Sequence, residues 1–385
     1  MFRALAAEHP EVPDYRFGLA TSHDMVGRVL ERTGDLAGAL AEQRKNLELM
    51  RALASEHSEV LEYQSRQAVS HSQVGNLLEK TGDLAGALTH QRRCQELMQA
   101  LVAEHLGVPG YRRDLAVAHS RVGGLLEKTS DLAGALAEQR KYQELMRALA
   151  AEHPEIPNYR RELALSHERV GNLLTTTGKP AEAVAELERA CSFYESLAEA
   201  APNAPDYRED LAWVLNYAGD ALRDLGRSGE ARERHARAVA LAEALASAHP
   251  KVPAYRARLA DSLRRLGRLK LDAGDTTGSD ADASRAVALF EGLPTRDGRE
   301  WFWLACARAT LAAAAGRGGT GTSAALTPGL ADRVMNDLRQ AAAAGYRSLA
   351  AYRHEPALGP LRGRDDFQLL MMDLAMPAAP FAAER

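Results

Sequence analysis

The sequence predicts an all-α fold organised as an α-α superhelix of antiparallel helix pairs, and three observations carry that prediction. Only 5% of the 385 residues are aromatic, while alanine and leucine abound. That is the composition of helices, since sheets recruit β-branched and aromatic side chains. Tyr15, Tyr63, Tyr111, Tyr159, Tyr207 and Tyr255 recur at a step of 48 residues without an insertion or deletion. Within each unit the apolar positions keep helical spacing. The 46% hydrophobic and 26% charged content is ordinary for a globular chain. Length alone would suggest two or three domains; the repeat replaces them with a stack of copied units.

The elements follow in chain order. MFRALAAEH aligns with the tail of the second helix of a unit, so the first repeat begins in its middle. Terminal repeats need a polar cap, so this segment either lies across the first full repeat or is the remnant of a longer polypeptide. Helix A of that repeat is expected over about 15–32, with Tyr15, Leu19, Ala20, Val26 and Leu30 on one face and Asp14 as its cap. Thr33-Gly34-Asp35 supplies a stop and a new cap. Helix B then carries Leu36, Ala39, Leu40, Leu47, Met50 and Leu53 to about Glu56. The link to the next helix A contains Pro13, Pro109, Pro157, Pro205 or Pro253 in five of the units.

Gly27, Gly75, Gly123, Gly171, Gly219 and Gly267 fall in mid-helix, where glycine costs about 1 kcal/mol against alanine. Ala39, Ala87, Ala135, Ala183 and Ala231 recur twelve residues later. The pairing predicts close approach of helix A to helix B. Helix pairs of this kind bury both faces only by stacking on their neighbours.

Six such units occupy residues 1–292. After the break LPTRDGRE, Trp301 to Ala315 reads as an alanine-rich helix, 316–323 as a glycine-rich loop and Pro328 to Gly345 as an amphipathic helix. Residues 293–345 are thus expected to form a divergent seventh pair, and 346–385 closing helices and a tail.

These columns resemble the tetratricopeptide repeat (TPR). Gly27, Leu30 and Ala39 match TPR positions 8, 11 and 20, and the alanine of position 27 is matched in later units by Ala190, Ala238 and Ala286. The unit is longer than an ordinary TPR, and its terminal proline is missing from the usual place. The resemblance implies an α-solenoid over residues 1 to about 292. The segment HEPALGPLRGRDDFQLLMMDLAMPAAPF is similar to the C-terminal region of bacterial serine/threonine kinases that carry TPR arrays, although the chain contains no kinase motif.

Forty-eight basic against 52 acidic residues give a net charge of −4. No global positive field draws the chain to nucleic acid or an anionic membrane. Cys94, Cys191 and Cys306 are odd in number and lack a CxxC pattern, which excludes a disulfide framework or zinc knuckle and fits a reducing cytoplasm. The N-terminal residues do not read as a signal peptide, and no apolar run reaches membrane-spanning length. Walker A, HExxH, GxSxG, HRD and DFG motifs are all missing. GxGxxG at Gly316 to Gly321 follows a helix instead of a strand, so it fails the context of a dinucleotide site. No catalytic, metal-binding or cofactor-binding constellation is expected, and no cofactor.

Three sets of polar residues recur. His23, His71, His119 and His167 suggest a metal, but equivalent helices lie about 8–10 Å apart, and Leu215 and Leu263 take the same place later. The column reads as packing. His9, His57, His105, His153 and His249 fall at helix C-termini, where imidazolium favours the dipole. Arg16, Arg112, Arg160, Arg208 and Arg256 follow the tyrosines and are expected to pair with acids such as Glu8, Glu56, Glu104 or Glu152 at the end of the preceding unit.

The TPR frame implies that positions 5 and 9 of helix A line the concave groove. Here they are Asp24 and Arg28, Ser72 and Asn76, Ser120 and Gly124, Glu168 and Asn172, Asn216 and Asp220, Arg264 and Arg268. They vary while the packing columns stay fixed, and their mixture of amides and charges suits an extended polar peptide. The first functional expectation is a non-enzymatic cytoplasmic scaffold that binds a protein segment there. The second is the sensory or substrate-docking portion of a bacterial serine/threonine kinase. The third is self-association through the exposed end of the first repeat.

Overall fold

The structure, a computed structural model, describes residues 1–318 and 328–376. Helices make up every regular element among the described residues. The chain divides into two compact units, Met1–Leu173 and Leu174 to the end.

The first unit opens with α1 (Phe2–Glu8), followed by α2 (Pro13–Arg32), α3 (Leu36–Glu56), α4 (Leu61–Thr81), α5 (Leu84–Glu104), α6 (Pro109–Lys128) and α7 (Leu132–Glu152). Most of α8 (Pro157–Thr176) also belongs to it. α2 with α3, α4 with α5, and α6 with α7 form hairpins, and each second helix packs on the first helix of the next hairpin. The half-repeat α1 lies across α2, and a Cβ built on Gly18 would stand 2.5 Å from the Phe2 ring. Leu40 and Leu47 of α3 pack with Val74 and Leu78 of α4 and with Leu125 of α6, so one apolar seam crosses three successive hairpins.

The second unit contains α9 (Pro180–Ala200), α10 (Pro205–Asp224), α11 (Ser228–Ala248), α12 (Pro253–Asp272) and α13 (Thr276–Glu291). They are followed by α14 (Gly298–Gly318), α15 (Pro328–Ala343), α16 (Leu349–His354), a 3-10 turn η1 (Pro356–Leu361) and α17 (Asp365–Ala375). Phe302, Trp303, Val334, Leu338, Tyr352, Leu358, Leu361 and Phe367 form one core that ties the C-terminal elements to α14 and α15. Of the expected glycine-rich loop, 316–318 continue α14 as helix; 319–323 lie outside the described residues, as do 377–385 of the tail. The GxGxxG stretch therefore falls partly on that helix end and partly outside the described residues.

The helix starts differ from the expectation at one point. α2 begins at Pro13 with Val12 at the cap and no side-chain cap bond, so Asp14 sits inside the first turn. Proline tolerates that first position because its missing N–H would be unpaired there. Helix B starts as expected: the Asp35, Asp83, Asp131 and Asp275 side chains accept from the amides of Gly38, Gly86, Gly134 and Gly278. The intervening turn needs a left-handed residue. Gly34 and Gly82 supply it at φ 90°, whereas the third repeat places Ser130 there at φ 66°.

The mid-helix glycines mark close approach. A Cβ on Gly75 would lie 3.2 Å from the Ala87 carbonyl oxygen and 2.9 Å from Gln91 Nε2. Ala39, Ala87, Ala135, Ala183 and Ala231 are all fully buried. Cys94 in α5, Cys191 in α9 and Cys306 in α14 are buried free thiols.

Two substitutions test these backbone arguments. Ser130→Gly relieves the left-handed strain and is expected to raise stability by about 1 kcal/mol, read as a higher urea midpoint. Gly75→Val presses on a backbone carbonyl that has no rotamer to change, and is expected to lower stability by about 1–3 kcal/mol in the same assay.

Candidate protein-binding face

The residues of positions 5 and 9 separate into two environments. In the position-5 column Ser72, Ser120, Glu168, Asn216 and Arg264 are buried and Asp24 is half-buried. The burial has a repeated cause in the first unit. Arg121 donates to Ser72 Oγ, and Arg169 Nη1 donates to Ser120 Oγ at 2.9 Å, each arginine reaching back from the next helix A. In the second unit Asn216 Nδ2 donates to Ser262 Oγ at 2.8 Å. Asp24 accepts from Gln43 Nε2 at 2.9 Å and pairs with Arg28 at 2.6 Å.

The position-9 column is more open. Arg28 is exposed, while Asn76, Gly124, Asn172, Asp220 and Arg268 are half-buried. A Cβ on Gly124 would meet nothing within 4 Å, so the third repeat leaves a gap in the column. Arg268 pairs with Asp272 at 2.8 Å.

A denser polar cluster lies in the second unit, on α10 and α12. Asp261 is fully buried and accepts from Arg264 Nη2 at 2.8 Å and from Arg265 Nε at 3.0 Å. Arg265 also donates to Asp220. Glu355, at the start of η1, stands 3.5 Å from Arg264 Nη1, so the C-terminal segment contributes to the same network. Burial alone would raise the Asp261 carboxyl, but Arg265 and Arg264 outweigh it and hold it down at about 2. Arg265 and Arg223 likewise hold Asp220 low against its burial. His235 hydrogen-bonds Asn216 Oδ1 at 3.1 Å, and burial lowers its imidazole to about 4. Beside this network the Arg258 guanidinium lies 3.7 Å from the Trp213 ring centroid, a stacked cation-π contact.

The histidine column bonds within its own repeat and, at His119 and His167, also to Gln95 and Gln143 of the preceding repeat, each at 2.8 Å. His23 Nδ1 meets Glu42 Oε2 at 2.5 Å, and His119 Nδ1 meets Glu138 Oε2 at 2.6 Å. In the second repeat His90 takes the glutamate's place, 3.1 Å from His71 Nδ1, and burial followed by the His90 charge lowers His71 to about 4. Among the described residues no three His, Cys, Asp or Glu side chains gather around one metal position. His57, His105, His153 and His249 occupy C-cap positions. Their rings also rest near the tyrosine six residues on, as His153 does 5.9 Å from Tyr159.

The arginine ladder corrects the expectation of pairing with the preceding unit. Arg16 pairs with Glu56, and Arg112 with Glu152 at 2.8 Å, so each acid ends helix B of the same repeat, 40 residues later. The antiparallel hairpin brings the start of helix A beside the end of its own helix B. Sequence reasoning missed the buried glutamines. Gln91 and Gln139 lie under the mid-helix glycines and donate to the Ser72 and Ser120 carbonyls at 3.0 Å. Their signal was the same 48-residue recurrence in the first three repeats, with Gln43, Gln91 and Gln139 sixteen residues after Gly27, Gly75 and Gly123.

The helix pairs stack in series as an α-solenoid, the fold that the resemblance to the tetratricopeptide repeat implies. No protein-family model and no curated protein matches the chain. Among solved structures the chain is similar to the apo form of RapI, with 14% identity, covering 84% of this chain and 97% of that one, at a TM-score of 0.53. It is similar to a Rap protein complexed with Competence and Sporulation Factor at 12% identity, covering 97% of each chain, with a TM-score of 0.52. A tetratricopeptide repeat protein from Parabacteroides merdae matches at 12% identity over 93% of this chain and 99% of that one, with a TM-score of 0.44. At these identities the likeness is one of fold.

The Asp261 network sets a pH test. Its carboxyl is lower in the folded chain than the ordinary value of about 3.9, so its contribution is present above about pH 4 and lost as pH falls through about 2. Asp261→Asn is expected to lower stability at neutral pH by about 3–5 kcal/mol, because the two buried guanidinium groups lose the carboxylate they share and keep only Glu355 and Asp220. Denaturation midpoints followed from pH 7 to 2 should show a smaller acid-side decline in the variant than in the parent chain.

Proposed function

We propose that the chain is a protein-interaction scaffold that holds an extended polar segment of a partner against the first helices of its repeats. The observation that carries this reading is the separation of the two groove columns. Position 5 is consumed by bonds between neighbouring helices, while position 9 presents Arg28 in the first unit and Arg268 in the second, with Asn76 and Asp220 held by Gln91 and Arg265. The position-9 residues differ from repeat to repeat above a framework that repeats. A Rap protein of similar fold complexed with Competence and Sporulation Factor supports a protein or peptide partner. The buried free thiols support a reducing, cytoplasmic setting. The reading assigns the chain binding and no catalytic step, with no cofactor, nucleic acid or membrane as partner.

A kinase-linked role is the second reading. It rests on the resemblance of residues 354–381 to the C-terminal region of bacterial serine/threonine kinases that carry TPR arrays, and is supported by the packing of η1 and α17 onto α14 and α15. An in-frame kinase domain in the upstream coding sequence would favour it over a free-standing scaffold.

The test of the scaffold reading is capture of partners by the immobilised chain, followed by mass spectrometry. Arg268→Glu and Arg28→Glu are expected to reduce capture about tenfold, equivalent to about 1.4 kcal/mol, with the helical circular dichroism unchanged. Arg264 is unsuited to this test, because its reversal would break the buried Asp261 pair. An unaltered set of captured proteins would remove the position-9 column from the site.

A further inference from the structure

The second repeat breaks the charge pattern of its neighbours at one position. In the first repeat Glu42 of α3 joins His23 to Lys45, at 2.5 Å and 2.6 Å. In the third, Glu138 of α7 joins His119 to Lys141, at 2.6 Å and 3.0 Å. Each carboxylate is shared between an imidazole on helix A and a cation one turn further along helix B. The second repeat keeps the imidazole as His71 and the cation as Arg93, but replaces the acid by His90. The step of 48 residues makes these positions equivalent, so the neighbouring repeats show what kind of group belongs between His71 and Arg93.

The replacement changes the bonding around it. With no acid three residues back, Arg93 pairs with Glu96 at 2.8 Å, a bridge between two exposed side chains that contributes little. His71 Nδ1 and His90 Nδ1 face each other at 3.1 Å. One ring donates and the other accepts, so the accepting ring carries its proton on Nε2; neither Nε2 has a hydrogen-bond partner among the described residues. The two rings, with Thr89, Arg92, Arg93 and Glu96, line an open pocket of about 440 Å³ between α4 and α5.

The field in this pocket is positive. Burial, then His90, Arg93 and Arg51 of α3, lower the His71 imidazole, with Glu96 acting the other way. Burial, then Arg44 of α3, lower His90, with Asp83 opposing. Arg44, Arg51 and Arg92 have no ion-pair partner among the described residues. Four guanidinium groups therefore face two carboxylates around a pair of imidazoles.

We propose that this pocket binds a carboxylate group, which takes the place of the glutamate missing from the second repeat and is held by His71, His90 and Arg93. Charge-assisted hydrogen bonds of this kind are the strong ones. The first and third repeats have no such vacancy, because Glu42 and Glu138 fill the position from within. None of the three binding residues belongs to the position-9 column, so this site and the proposed groove can fail separately. Two sources carry the required chemistry: an acidic side chain of a bound protein segment, and a small free carboxylic acid.

The test follows the ring resonances of His71 and His90 by NMR in the full chain at neutral pH. The probes are glutarate, a blocked peptide of serines around a central glutamate, and inorganic phosphate. Glutarate or the peptide is expected to shift both resonances saturably, and the tighter of the two identifies the source. His90→Glu rebuilds the internal pair of the neighbouring repeats; it is expected to weaken binding about tenfold or more, read at His71, because one charge-assisted bond is lost, while the thermal midpoint does not fall. Glu138→His makes the converse change in the third repeat and is expected to create a second site, at which His119 responds to the same probe. The proposal is overturned by the absence of a saturable shift with both glutarate and the peptide, by phosphate binding more tightly than either, or by binding that survives His90→Glu. A folded Glu138→His chain whose His119 stays silent would equally overturn it, since the missing glutamate would then not be what makes the site.

Discussion

Everything in the repeat depends on how closely helix A can approach helix B. The mid-helix glycine removes a side chain where the Ala87 carbonyl and its counterparts come nearest, and the fully buried alanine removes bulk from the facing surface. The glycine is unfavourable to its own helix, so the contact must return more than the helix loses. That narrow interface leaves room for one polar side chain beneath it, and Gln91 and Gln139 fill the space while satisfying carbonyls of helix A. Hairpin geometry then determines the remaining register: helix starts meet helix ends, Arg112 meets Glu152, and His119 meets Glu138.

The second unit departs from this scheme. In place of glutamine, α11 carries His235 beneath Gly219, and α12 carries Asp261, Arg264 and Arg265 in a network that also takes in Glu355. A buried ionic cluster is weak evidence of added stability but strong constraint on arrangement, since any misplacement leaves a charge unpaired. Here it constrains the C-terminal segment to one position against α12, and the aromatic core of Phe302, Tyr352 and Phe367 fills the remaining space.

What could be read from sequence was whatever the 48-residue step repeated. Helix order, the Gly34 turn, the Asp35 cap and the glycine–alanine approach all carry local chemistry that recurs in register. The cap of α2 was misplaced because Asp14 and Pro13 are both good first-turn residues, and only the backbone shows that the helix has already begun at Pro13. The arginine partners were misassigned because sequence proximity favours the preceding unit, whereas the hairpin fold brings an acid from 40 residues ahead. The burial of position 5 depends on arginines 49 residues away, such as Arg121 over Ser72. The Arg264–Glu355 contact spans 91 residues and occurs once, so no periodicity announces it.

The three thiols are distributed through this architecture, in α5, α9 and α14. Burial raises Cys94 to about 11 and Cys191 to about 12, and pushes Cys306 up as well. A thiol kept protonated and covered reacts only when its surroundings open. Each cysteine is thus a natural clock on a different stretch of the solenoid. The order in which they become reactive would map how far a local unfolding event travels before the neighbouring repeats arrest it.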